Sequence, residues 1–597
     1  MIVAGSLRST GTIVGNVSLT GTRNAVAAIG EFGVSGPGNS FTLINTGDVS
    51  INGPLIVPHN IGIASATGSR IAVTGTVANT TGALAIIAGT GGIALDSGAR
   101  ILAGRVGLTA QGAISLSGGA RIGLAGGVVD FRTTAGGVTQ DPGAMITAAN
   151  LQSTSGVVGP VSLAGTANAI GAIGSFAVTG AGAGFSLNNA GDLSIKGALT
   201  APGEIALATA AGSPMATGLI AVSGTIGAGG VVALRAADAG ISLNTGAVVG
   251  GATAVIAAGG PVTLSSGARL GQTGAIVDLS TRAGGIEQHP GATIIADILS
   301  SALGVVGSAT LAGASNAIGT VAAFATTGAF TLVDTGNLTV SGPLRASGDL
   351  SLTTNGTGRV SLAGTVGTNG GLSILSGAGG IALNSGGVVT APTITLSGQS
   401  SGITIAPGAT LGQAGATIDV STTGGGIVQD PKSIIRAAVL RSGGVSGTAN
   451  LAGIANEIAE LGSFTVTGLG SALIVVDTGN LLAMGEVRAP GSIFLGTSGT
   501  GAVTATAPIT AGTSLTVISG KGGIALTNSA SLSAGEILLQ ARGPITLAQN
   551  TLLGQAGANL DITTTDGGVT QDAGARIVAA TLRSSAGMAD RSPCRVR

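Results

Sequence analysis

Four aspartates recur along the chain, each ten residues ahead of a glutamine: Asp130 and Gln140, Asp278 and Gln288, Asp419 and Gln429, Asp561 and Gln571. The residue after each Gln is Asp141, His289, Asp430 or Asp572. Oxygen-rich groups at fixed spacing could contact a ligand or a cation once per recurrence. Turn chemistry accounts for the same residues. In Asp141-Pro142-Gly143 the Asp caps, the Pro fixes φ and the Gly takes positive φ. His289 in place of a carboxylate also counts against a metal site that needs charge. A second corner recurs as Asn45 with Asp48, Asn189 with Asp192, Asp334 with Asn337, and Asp477 with Asn480. It has oxygens suited to Ca²⁺. Asn and Asp exchange freely between its two positions, which suits turn hydrogen bonding better. Both corners are therefore expected to be structural.

Catalytic groups are sparse. Glycoside hydrolysis needs two carboxyls about 5–10 Å apart, and the 24 carboxylates are spread over 597 positions. The densest local pair is Glu457 and Glu460, and the two histidines, His59 and His289, are far apart in the chain. Gly520-Lys521-Gly522 lacks the hydroxyl and spacing of a phosphate-binding loop. The run Gly180 to Gly184 is not set between a strand and a helix, so it is a turn. Asn16, Asn79, Asn337 and Asn355 open Asn-x-Ser/Thr sequons, which a chain rich in Ser and Thr produces by chance. Cys594 is the lone cysteine, so no intrachain disulfide forms. No catalytic residue, cofactor-binding residue or metal ligand is nominated, and the chain is expected not to be an enzyme.

The elements that carry these residues come from a repeat. Leu7-Arg8-Ser9 returns as Leu151-Gln152-Ser153, Leu299-Ser300-Ser301, Leu440-Arg441-Ser442 and Leu582-Arg583-Ser584. Leu-x-Gly-x-x-Asn returns with its Asn at Asn24, Asn168, Asn316 and Asn456, and Leu-Gly-Gln-x-Gly-Ala begins at Leu270, Leu411 and Leu553. The organisation is 1–6 as the end of a preceding repeat, then copies at 7–150, 151–298, 299–439 and 440–581. Residues 582–597 start a fifth copy and run into an aberrant tail.

Within a copy, apolar residues sit at alternate positions, as in Ile205-Ala-Leu207, Val232-Ala-Leu234 and Val277-Asp-Leu279. This is the period of strands with one buried face. Gly-rich segments separate them. Strands returning about every 20 residues predict an all-β, right-handed parallel β-helix, or β-solenoid, of roughly 30 coils stacked about 4.8 Å apart. Ten residues is about half such a coil, which puts the recurring Asp and Gln on different walls. A β-sandwich array would fit the regular strand spacing, but its cores normally hold large aromatics, and this chain has no Trp or Tyr.

Composition agrees. The chain has 110 Gly and 17 Pro, too little of either for collagen, and too much Gly for long helices. It is 44% hydrophobic with net charge +0, which disfavours disorder and nucleic-acid binding. The longest aliphatic run is Ala83 to Ala88, too short to span a membrane, and without Trp or Tyr no aromatic girdle of a membrane barrel can be built.

Segments such as Gly91-Gly-Ile-Ala-Leu-Asp-Ser-Gly98 and Gly379-Gly-Ile-Ala-Leu-Asn-Ser-Gly386 resemble the repeat regions of filamentous-haemagglutinin-like exoproteins and autotransporter passenger domains of Gram-negative bacteria. The resemblance extends to about residue 586. It implies a right-handed β-helical stalk, extracellular at the bacterial cell surface, used in adhesion or biofilm contact with host-cell or matrix ligands. The family's secretion motifs Asn-Pro-Asn-Gly and Asn-Pro-Asn-Leu, its translocator barrel and any signal peptide are not in this sequence. Contact with outer-membrane secretion machinery would then run through segments outside it. Residues 2–9 and 577–584 stand at nearly the same phase of the repeat, and the expectation is an interior slice of a larger protein. Its expected role is a non-catalytic stalk segment of a surface adhesin. A β-helical carbohydrate-active enzyme and a self-assembling extracellular fibre are the alternatives.

Overall fold

The computed structural model describes residues 1–211 and 217–585. The Met588–Arg597 tail and Cys594 lie outside the described residues. The protein is all-β, with no helix among the described residues, and its parallel coils stack as a β-solenoid of about 26 turns. The chain divides into two compact units, Met1–Gly307 and Ser308–Arg597.

In the first unit each turn has three walls. One carries Phe41–Asn45, Ile61–Ser65, Ala83–Ala88, Arg105–Ala110 and Val128–Thr133. The second carries Val49–Ile51, Arg70–Val73, Gly92–Leu95, Ile114–Leu116 and Val138–Gln140. The third carries Leu55–Val57, Thr76–Asn79, Arg100–Leu102, Arg121–Ile122 and Met145–Ala148. Like residues stack. Phe41, Ile61, Leu84, Val106 and Val129 form one inward column. Alternation explains the burial: in Ala83–Ala88 every second side chain is buried. The second unit repeats the plan, with Phe330–Asp334, Leu350–Thr354, Gly371–Leu375, Thr393–Gly398 and Thr417–Thr422 on one wall.

About 26 turns replace the roughly 30 coils expected. The turn is longer than 20 residues: contacts between neighbouring turns join residues 22, 23 and 24 apart. The third wall is the least marked in the sequence. Strands such as Ala198–Ala201, Thr225–Ala228 and Val248–Gly250 contribute Leu199, Ile226 and Val249 as their main apolar inward residues, so no apolar pair marks them.

Two features fix the stack. Phe32–Phe41, Phe176–Phe185 and Phe324–Phe330 meet edge to edge-on face, with ring centroids 5.1, 5.0 and 5.0 Å apart. At the matching place in the fourth copy, Phe464 is followed by Leu473. The glycine of Leu-Gly-Gln-x-Gly-Ala is required by contact. Gly271, Gly412 and Gly554 have φ of 83°, 89° and 91°. A Cβ on any of them would overlap the carbonyl oxygen of Ile295, Arg436 or Val578 one turn on.

Candidate functional site

The recurring polar residues fall into an inward set and an outward set. Gln140 ends a second-wall strand and points into the interior, where it is buried. Its Nε2 donates to Asn168 Oδ1 at 2.7 Å, and Asn168 Nδ2 donates back to Gln140 Oε1 at 3.0 Å. The remaining valences go to backbone: Gly165 N–H donates to Gln140 Oε1, Ile146 N–H to Asn168 Oδ1, and Asn168 Nδ2 to the Asn188 carbonyl. Asn189 follows one turn on. It accepts from Ile170 N–H and donates to the Ile170 carbonyl. Gln429, Asn456 and Asp477 repeat the arrangement in the second unit.

This assembly joins two landmarks, the Gln and the Leu-x-Gly-x-x-Asn motif, that the sequence presented separately. Both returned once per copy at constant phase, and that shared beat was the available signal. Buried amides paired this way are satisfied by the chain itself.

The corner Asp residues are also committed to backbone. Asp334 accepts from Ile318 N–H at 2.7 Å and Gly336 N–H at 2.8 Å. Asp477 accepts from Ile458 N–H and Gly479 N–H, both at 2.7 Å. Burial holds both carboxyls above the ordinary carboxylate range, against the pull of these donors. Each carboxylate oxygen is thus already taken by a backbone N–H, whereas a Ca²⁺ shell needs oxygens turned to the ion. The outward partners bridge turns. Asp48, Asn337 and Asn480 accept from Arg70, Arg359 and Ala502 N–H. Asp192 accepts from Leu219 N–H and from the Thr217 N–H and hydroxyl, and these bonds hold it below the ordinary range.

The Asp of each Asp–Gln pair lies on a different wall from its Gln and faces one turn forward. Asp130, Asp278, Asp419 and Asp561 stand in register with Gln152, Ser300, Arg441 and Arg583, the middle residues of the Leu-x-Ser landmark. Gln152 Nε2 donates to Asp130 at 3.0 Å, the Ser300 hydroxyl to Asp278 at 2.9 Å, and Arg441 and Arg583 pair with Asp419 and Asp561 at 3.0 and 3.1 Å. Burial raises Asp561, and hydrogen bonds from Ser585 and Arg583 outweigh it, leaving the carboxyl below the ordinary range. After the Gln comes a turn in every copy: Ala144, Ala292, Ser433 and Ala575 N–H donate to the Asp141, His289, Asp430 and Asp572 carbonyls, although Gly143 does not take the positive φ expected of it.

The remaining candidates stay apart. Glu457 pairs with Arg436 at 3.1 Å, and Glu460 faces Val439 and Leu482. Asp477 lies near Glu457, and its side chain is buried and bonded to backbone. His59 Nδ1 approaches the Thr81 hydroxyl at 3.4 Å. Among the sequons Asn79 is buried, Asn16 and Asn337 accept backbone N–H groups, and Asn355 is exposed at a turn. Among the described residues no three His, Cys, Asp or Glu side chains gather to hold a metal ion, and no helix is long and apolar enough to cross a membrane. No protein-family model, curated protein or solved structure matches this chain.

Proposed function

We propose that the chain is a non-catalytic stalk segment of a large secreted bacterial surface adhesin, working in adhesion or biofilm contact outside the cell. The observation that carries this is the use made of its recurring polar groups. Gln140, Asn168, Asn189 and their counterparts are spent on the chain's own backbone and on neighbouring turns. What repeats outward is Ser and Thr on flat strands, as at Ser115, Thr139 and Ser162 in one stacked column. Such a surface suits many weak contacts, which become useful when they act together.

The test is adhesion of beads coated with the full chain to cultured epithelial cells and to a mature biofilm. Retention should rise steeply with coating density. Retention no greater than for albumin-coated beads at every density would overturn the proposal.

A further inference from the structure

One stretch of the first unit departs from its own repeat. Arg235, Ala257 and Ser280 stack in one column on three successive turns, facing away from the apolar interior, with Ser280 covered. The matching first residue is Ile87, Leu375 or Ile518 in the other copies, and the matching second is Thr109, Ser397 or Gln540. Two residues beyond Ser280 is Arg282, where the other copies have Thr134, Thr423 and Thr565. The second copy therefore has a cation at each end and its smallest side chain in the middle. The result is a groove of about 440 Å³ with a largely apolar floor, including Ala208 and Ala257, and with Leu303 on its rim. Leu303 is 78% exposed.

Both guanidiniums are exposed, and neither forms an ion pair among the described residues. Among the described residues no carboxylate lines the groove. The neighbouring acids have other donors: Asp238 accepts from Ala211 N–H, and Asp278 accepts from the Ser300 hydroxyl and Ala302 N–H. Two turn spacings of about 4.8 Å and two residues of about 3.3 Å put the Arg235 and Arg282 backbones about 12 Å apart.

We propose that this groove binds an extended acidic peptide bearing carboxylates at positions i and i+4 and an apolar side chain at i+2. In an extended chain those three side chains share one face, and the outer two lie about 13 Å apart. The carboxylates meet Arg235 and Arg282, whose planar forks suit them. The middle side chain lies over Ala257 against Leu303. An apolar stretch between two charges favours a peptide over a polyphosphate or a sulfated glycan, neither of which places an apolar group there.

The probe is a fluorescein-labelled acetyl-Asp-Ser-Leu-Ser-Asp-amide titrated with the full chain by fluorescence anisotropy at low ionic strength. Saturable binding is expected, weakened about ten-fold by Arg235→Gln or Arg282→Gln and lost in about 0.5 M salt. Replacing both peptide Asp by Asn should abolish it, and replacing the Leu by Ser should weaken it several-fold. Far-UV circular dichroism checks that each variant is folded, and the double variant Arg235→Glu/Arg282→Glu should instead bind the Lys-Ser-Leu-Ser-Lys peptide. Absence of saturable binding, or affinity unchanged by the Arg substitutions, would overturn the proposal. So would Arg-dependent binding that ignores the Leu and is matched by polyphosphate or a sulfated oligosaccharide, which would make the groove a general anion site.

Discussion

The side chains of Gln429 and Asn456 bond each other twice in the interior of the second unit, Nε2 to Oδ1 at 2.7 Å and Nδ2 to Oε1 at 3.1 Å. Each amide keeps the other from being left unpaired in an apolar surround. Removing one partner strands buried donors and acceptors, at about 1–3 kcal/mol for each orphaned group. Asn456→Ala should therefore destabilise the surrounding turns by about 2–4 kcal/mol. Gln429→Leu/Asn456→Leu should cost less than the sum of its single changes. Because stacked repeats can open locally, hydrogen exchange at the flanking turns is the measurement. Additive single and double effects would count against the pair.

Asp334 and Asp477 occupy the place held by Asn45 and Asn189 in the first unit. The amides of Asn45 and Asn189 donate to carbonyls, Val26 and Gly47 in one case and Ile170 and Gly191 in the other. An ionised carboxylate cannot donate. Asp334→Asn and Asp477→Asn each give up the bond from Gly336 or Gly479 N–H to the second carboxylate oxygen and gain an amide donor, so the net change at neutral pH should stay within about 1 kcal/mol. The sign with pH follows from burial. Both folded-state values lie above 3.8. The folded chain then holds more protons than the unfolded chain just above that pH, and the contribution of these groups falls as pH rises through the window. Denaturant midpoints of wild type and the double variant, compared across that window, should shift in favour of the variant as pH rises. A difference that does not change with pH would refute this.

Gly412 and Gly415 belong to one motif and both have positive φ, 89° and 83°. Only Gly412 abuts the next turn, whereas a Cβ on Gly415 meets open space. Gly415→Ala should cost about 1–2 kcal/mol, the left-handed backbone penalty alone. Gly412→Ala should cost clearly more, because the neighbouring turn must move. Equal losses in thermal scans would show that contact contributes nothing.

Phe176 and Phe185 are fully buried, with ring planes at 67°. Phe176→Ala should cost about 3–5 kcal/mol. Phe185→Leu should cost less than about 1.5 kcal/mol, since Leu473 already fills the matching place in the fourth copy. Proteolysis of the flanking turns reports both. Comparable sensitivity of the two variants would contradict the ordering.

Much of this architecture is legible from residue types, and the exceptions have physical causes. Ile205, Leu207, Val232 and Leu234 alternate in pairs and announce their walls. The third wall escapes notice because Leu199 or Val249 serves a whole strand, and a lone apolar residue has no period. The corner aspartates were recognisable as turn formers, yet their inward direction was not, because Asn and Asp serve equally on either side of a turn. Gln140 and Asn168 are adjacent only through stacking, at a separation of 28 residues. The Arg235–Arg282 groove was hidden for the opposite reason. It is a departure from the repeat, and attention to what recurs passes over what does not.

The parallel register has a mechanical consequence within each unit. Every rung between turns, such as Ile374 to Leu396 or Leu396 to Val420, is a hydrogen-bonded step along the stacking direction. Tension along that direction falls in full on every interface at once, because they lie in series, so the weakest interface parts first while the others hold. Each released turn yields slack and spares those behind it. Such a stack lengthens under load in small, repeated increments and closes again from whichever turns remain.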